Sequence, residues 1–170
     1  MSEILSRWNR LPTDEAAKEI LPCCGSRAWA NGMASSRPMQ DAATLLSTSD
    51  RIWRDLSPAD QLEAFQSHPR IGENSSPQET SGRSPQWSAQ EQSCATESGD
   101  SLKQALAEGN LEYEERFRRI FIICATGKSS KEILANLRQR LNNDDATELG
   151  EAAEQQRQIA QIRLRKWLTE

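Results

Sequence analysis

Apolar side chains recur along this chain at intervals of three and four residues and nowhere alternate over the length of a strand, so the pattern is that of amphipathic helices. Ile4, Leu5, Trp8 and Leu11 mark a first short helix that Pro12 stops, and Thr13 and Asp14 start a second that ends before Pro22. Residues 26–33 read as a third. Pro38, taken as a first-turn proline, opens a longer helix through Ala42, Leu45, Leu46, Ile52 and Trp53, with room for an interruption around Ser47 to Asp50. Ser57 followed by Pro58 supplies an N-cap and then a proline at the first helical position, starting a helix through Leu62 and Phe65 into His68, where Pro69 ends it.

From Glu73 to Pro85 the composition shifts to Ser, Pro, Gln, Gly and Asn, which predicts a loop. Ser88 and Glu91 have the spacing of a capping box and are expected to open the next helix. Gly99 and Asp100 suggest a break before Leu102 to Leu106, and Leu111 to Ala125, the most apolar stretch, reads as a central helix terminated by Thr126 and Gly127. Ser129 and Glu132 form a second capping box for a helix to Leu141, and a last helix runs from about Ala146 to Trp167. The expected fold is all-α, a single-domain bundle of about eight or nine helices.

Charge narrows the partners. The 21 basic and 25 acidic residues nearly balance, so no field of one sign points to nucleic acid or an anionic membrane. No apolar run approaches the roughly 20 residues that a membrane span requires, and the opening MSEILSRWNRL lacks the flank and core of a secretory signal. Leu168, Thr169 and Glu170 are not a peroxisomal address. A cytoplasmic protein is expected. Cys23, Cys24, Cys94 and Cys124 have neither a C-x-x-C pair nor ribbon spacing, and they read as reduced packing residues.

His68 is the chain's single histidine and the side chain whose ordinary pKa suits proton transfer near neutrality. Followed by proline, it sits where a helix gives way to a loop, although a lone histidine there is more often a solvated or capping group. Ser88 and Glu91 likewise have a purely structural explanation as a cap, while a helix start also offers N–H groups and a positive dipole end to an anionic ligand. Arg163 lies four residues after Ile159 and four before Trp167, hence within an apolar stripe. There it must snorkel to the rim, pair with a buried carboxylate, or aim a guanidinium fork at ligand oxygens.

Four blocks in order, FQSHPRIGE at 65–73, SAQEQS at 88–93, YEERFRRIFIICATGKSSKEIL at 113–134 and EQQRQIAQIRLRKWL at 154–168, resemble the 2-oxo-4-hydroxy-4-carboxy-5-ureidoimidazoline (OHCU) decarboxylases of urate degradation. SRPMQDAATLL at 36–46 extends the likeness upstream. The resemblance implies an all-helical protein, usually a homodimer, that uses no metal or organic cofactor and converts a small-molecule substrate, OHCU, to (S)-allantoin. It implies His68 as the proton donor with Glu91 close by. Substrate contacts would come from Pro69, Ser88, Gln92, Arg163 and the backbone of Phe121, Ile122, Ile123, Cys124 and Ala125. One departure stands out, for Phe117-Arg118-Arg119 replaces the Phe-Gly-Phe of many members. Two rivals are a non-catalytic helical interaction module, with the same residues as caps, and a metal hydrolase using His68, Glu91 and a cysteine, which the single histidine makes remote.

Overall fold

In a computed structural model that describes residues 2–72, 84–93 and 99–170, the periodicity resolves into nine α-helices and one 3-10 turn among those residues, with no strand. The chain divides into two units, residues 1–64 with 157–170, and residues 65–156.

The first unit holds α1 (Glu3–Arg10), α2 (Thr13–Ile20), a 3-10 turn (Leu21–Cys23), α3 (Arg27–Ser35), α4 (Ala42–Asp55), most of α5 (Pro58–Gln66) and the C-terminal part of α9 (Asp145–Trp167). Leu5, Trp8, Ile20, Trp29, Met33, Leu45 and Trp167 form its buried apolar side. Trp8 and Trp167 meet edge to face at 5.7 Å, a pairing worth about 0.5–1.5 kcal/mol beyond the area it buries.

Pro38 does not open α4. The helix starts at Ala42, because Asp41 accepts the N–H of Thr44 at 2.7 Å as a true N-cap, while Pro38 lies in the preceding connection. Nor is α4 interrupted at residues 47–50. Ser47 turns its hydroxyl back to the Thr44 carbonyl, and buried Ser49 accepts from the Trp29 indole at 3.2 Å, so both hydroxyls are accommodated within a continuous helix. The Ser57 cap holds: its hydroxyl accepts the Asp60 N–H at 3.2 Å, and α5 begins at Pro58.

The second unit contains α6 (Ser84–Glu91), α7 (Asp100–Phe117), α8 (Ser130–Arg140) and the first part of α9, around a cluster that includes Leu106, Tyr113, Phe117, Phe121, Ile133 and Leu137. Ser129 and Glu132 form the expected capping box. Ser88 does not start a helix. It is the fifth residue of α6, which begins at Ser84, and Glu91 is the last, so the capping box and the anion-binding N-terminus expected there are not formed. The loop expected from Glu73 falls mostly outside the described residues, as does Cys94.

The central helix expected to reach Ala125 stops at Phe117. Arg118 adopts φ 57° and ψ 27°, a left-handed conformation that ends α7, and residues 120–125 continue as a non-helical stretch buried at every position. An apolar run facing protein on all sides carries no periodicity to separate a helix from an extended segment. A side chain in the left-handed region, as at Arg118, costs about 1–2 kcal/mol. Arg118→Gly is therefore expected to stabilise the protein by roughly 0.5–1 kcal/mol, read as a higher urea midpoint at unchanged slope.

Candidate functional site

His68 follows α5 by two residues, with its backbone N–H on the Phe65 carbonyl at 3.2 Å. The ring is only 6% exposed, which excludes a solvated cap, and its Nε2 lies 2.7 Å from Oε1 of Gln156 on α9. Gln156 is fully buried, and among the described residues its Nε2 has no hydrogen-bond partner. Leaving a buried N–H donor unpaired costs about 1–3 kcal/mol, so such an arm needs a reason.

The neighbouring Gln155 accepts the backbone N–H of Cys124 at 2.9 Å and so ties α9 to the 120–125 stretch. Cys124 in turn lies within electrostatic reach of Glu91. Burial pushes its thiol pKa up, Glu91 adds to that, and Lys128 opposes it. From the end of α6 the side chain of Gln92 accepts the Gly72 N–H at 3.0 Å, and the Gln92 N–H returns to the Ser88 carbonyl. These links close a circuit: His68, Gln156 and Gln155, Cys124, Glu91 and Gln92, then Gly72 and back to Pro69 and His68. Within the second unit these contacts involve His68, Gln92, the Cys124 backbone and, through its charge, Glu91, which are residues that the resemblance implies.

The circuit depends on how the 120–125 stretch is held. Arg140 donates to the Ile122 carbonyl at 2.7 Å and its guanidinium also grips Glu148, whose carboxylate is fully buried. Tyr113 donates to the same carboxylate at 2.6 Å and Asn143 at 3.0 Å. Burial, with the carboxylate alongside, raises the Tyr113 pKa and keeps the phenol a donor. Among the described residues no hydrogen bond is made by the amides of Phe121, Ile122, Ile123 or Ala125. This non-helical backbone is thus anchored at the Ile122 carbonyl and at the Cys124 amide.

Arg163 belongs to the first unit. It is 1% exposed, so it does not snorkel, and it donates to the Pro22 carbonyl at 3.1 Å. It also adjoins Cys24, a thiol that burial pushes up to about 12, with Arg163 pulling weakly the other way. Cys23, Cys24 and Cys124 are all buried, as packing residues would be.

Gln155 and Gln156 were not expected as site residues. The signal existed, because Ala152, Gln156, Ile159, Arg163 and Trp167 recur at three- and four-residue steps, and the stripe that singles out Arg163 singles out Gln156 too. A charge in an apolar stripe attracts notice; a neutral amide does not.

The family model for OHCU decarboxylase matches residues 9–165. The chain belongs to the OHCU decarboxylase family. Within it, the chain is similar to the 2-oxo-4-hydroxy-4-carboxy-5-ureidoimidazoline decarboxylase of Haloferax volcanii, at 28% identity over 94% of this chain and 93% of that one. It is 34% identical to the uric acid degradation bifunctional protein TTL of Arabidopsis thaliana over 85% of its own length, but spans only 44% of that longer relative. A crystal structure of an OHCU decarboxylase in the presence of (S)-allantoin superposes with a TM-score of 0.78 at 34% identity, covering 89% of this chain and 98% of the other. No described helix is long and apolar enough to cross a membrane, and no three of His, Cys, Asp and Glu among the described residues form a metal-binding group.

For this OHCU decarboxylase-family chain the Glu148 cluster supplies the stability test. Glu148→Ala leaves the Arg140 guanidinium buried without its counter-charge and is expected to cost about 3–5 kcal/mol in urea unfolding. A loss under about 1 kcal/mol would contradict the role given to the pair.

Proposed function

We propose that this protein decarboxylates OHCU to (S)-allantoin, with His68 delivering the proton. The observation that carries the reading is a buried histidine oriented by a buried amide within the circuit closed by Gln155, Cys124, Glu91 and Gln92. It is supported by a family match over nearly the whole chain.

The chemistry suits such a site. The substrate's carboxylate is attached to a carbon next to a C=N bond. When the C–C bond breaks, carbon dioxide leaves and the electron pair flows into that nitrogen-containing system, so the substrate acts as its own electron sink. The protein must hold the ring, stabilise the charge spreading over it, and protonate one face of one carbon. General acid catalysis of this kind contributes on the order of 100- to 10,000-fold in rate.

Backbone N–H groups of Phe121 to Ala125, with Ser88, Gln92 and Pro69, are the proposed substrate contacts, and Glu91 is the proposed neighbour of His68. Glu91 ends α6, where the helix dipole does not favour a carboxylate, so its position brings the helix no stability. That strengthens a functional reading over a capping one. Arg163 is proposed to hold ring or ureido oxygens rather than the departing carboxylate, since gripping that group would stabilise the ground state more than the transition state. The working form is proposed to be a cytoplasmic homodimer on the strength of the resemblance.

Two variants test the reading with OHCU generated in situ and chiral allantoin followed by circular dichroism. His68→Asn is expected to lower kcat by at least about 100-fold while the far-ultraviolet spectrum stays unchanged. Equal traces from wild type and variant would leave the helical interaction module as the better account. Arg163→Lys should lower kcat/KM by about tenfold or more, because a lysine cannot reproduce the guanidinium fork. A slightly raised KM with kcat intact would remove Arg163 from the site.

A further inference from the structure

His68 and Gln156 form a buried pair whose chemistry is more constrained than its distance alone suggests. Either end of an amide can face an imidazole nitrogen, and hydrogen positions follow from what each arrangement permits. An amide N–H2 facing Nε2 requires that nitrogen to be bare, and it would oppose the ring as soon as Nε2 took up a proton. The amide oxygen has no such limit, for it accepts from Nε2–H in both the neutral ring and the cation. A histidine that gives up a proton and takes it back in each turnover needs a partner that suits both states. Oε1 is the atom found 2.7 Å from Nε2.

We propose that Gln156 is a positioning residue for this reaction: its Oε1 keeps a proton on Nε2 of His68 throughout, so that Nδ1 is the nitrogen that hands a proton to the substrate carbon. The inference rests on the proposed function and goes beyond it by naming the atom and what orients it. In the transfer the N–H bond at Nδ1 breaks, a C–H bond forms where the C–C bond was lost, and the ring becomes neutral with its Nε2–H intact. A proton from water then restores the cation.

Two further features of Gln156 agree with this role. It is neutral, so it orients the ring without the charge of a carboxylate, which would hold the proton on the imidazole more tightly. Its other arm, Nε2, is a buried donor with no partner among the described residues, so the contact with His68 is the one that holds the amide there. The amide is held in place at the next residue as well, where Gln155 takes the Cys124 N–H and donates to Glu151 at 3.2 Å.

Because the chain has one histidine, full-length protein labelled with 15N-histidine reports a single ring, and long-range proton–nitrogen correlations read its tautomer directly. Wild type is expected to hold the neutral ring with its proton on Nε2. Gln156→Met, which keeps the bulk and loses both polar atoms, should give a mixture of tautomers and lower kcat at least tenfold while KM stays within twofold. Gln156→Glu restores an acceptor, so the Nε2–H form should return, with the pH profile of kcat displaced upward because the carboxylate stabilises the cation. An Nδ1–H ring in active wild type overturns the inference, as does a Gln156→Met protein with the wild-type tautomer and kcat. Should Gln156→Met not fold, the wild-type tautomer decides alone. An inactive wild type overturns the proposed reaction, and this role with it, which separates that failure from a wrong tautomer in an active enzyme.

Discussion

A polar group withdrawn from water must find a partner inside the protein, and α9 takes Glu148, Gln156 and Arg163 into its buried stripe. Each position would be filled at less cost by an apolar side chain, and each organises something in return. Glu148 gathers Tyr113, Asn143 and Arg140, and Arg140 then fixes the Ile122 carbonyl. Gln156 orients His68, and Arg163 binds the Pro22 carbonyl next to Cys24. The last helix thereby converts the cost of burying polar atoms into the placement of loops that have no regular structure of their own.

The 120–125 stretch depends on this most. It has no helix or sheet ladder, so its conformation is set from outside: by the left-handed Arg118 that releases it from α7, by Arg140 at the Ile122 carbonyl, and by Gln155 at the Cys124 amide. A segment held at those points can leave other backbone N–H groups uncommitted, which a helix interior cannot do. The conformation that ends the helix early is thus also the one that leaves those amides without helix partners.

Candidate site residues that lose their structural explanation carry the more informative argument. Had Ser88 and Glu91 formed a capping box, the cap would have explained them fully. With Ser88 in the middle of α6 and Glu91 at its end, that explanation is gone, and the proximity of Glu91 to Cys124 becomes the feature to account for. Arg163 moves the same way, since a guanidinium 1% exposed is not a rim charge.

The sequence by itself determined the helical class, most helix starts and the caps at Ser57 and Ser129, because helical periodicity and capping are local. It also placed Arg163 within an apolar stripe, and left open whether the guanidinium snorkels, pairs with a carboxylate or meets a ligand. Tertiary structure alone decided that Ser88 lies mid-helix, that residues 120–125 leave the helix, and that Gln156 meets His68 across 88 positions of chain. The reason is physical: a fully buried apolar run has no period to read, and a neutral amide in a stripe becomes a partner only when folding brings another polar atom to it.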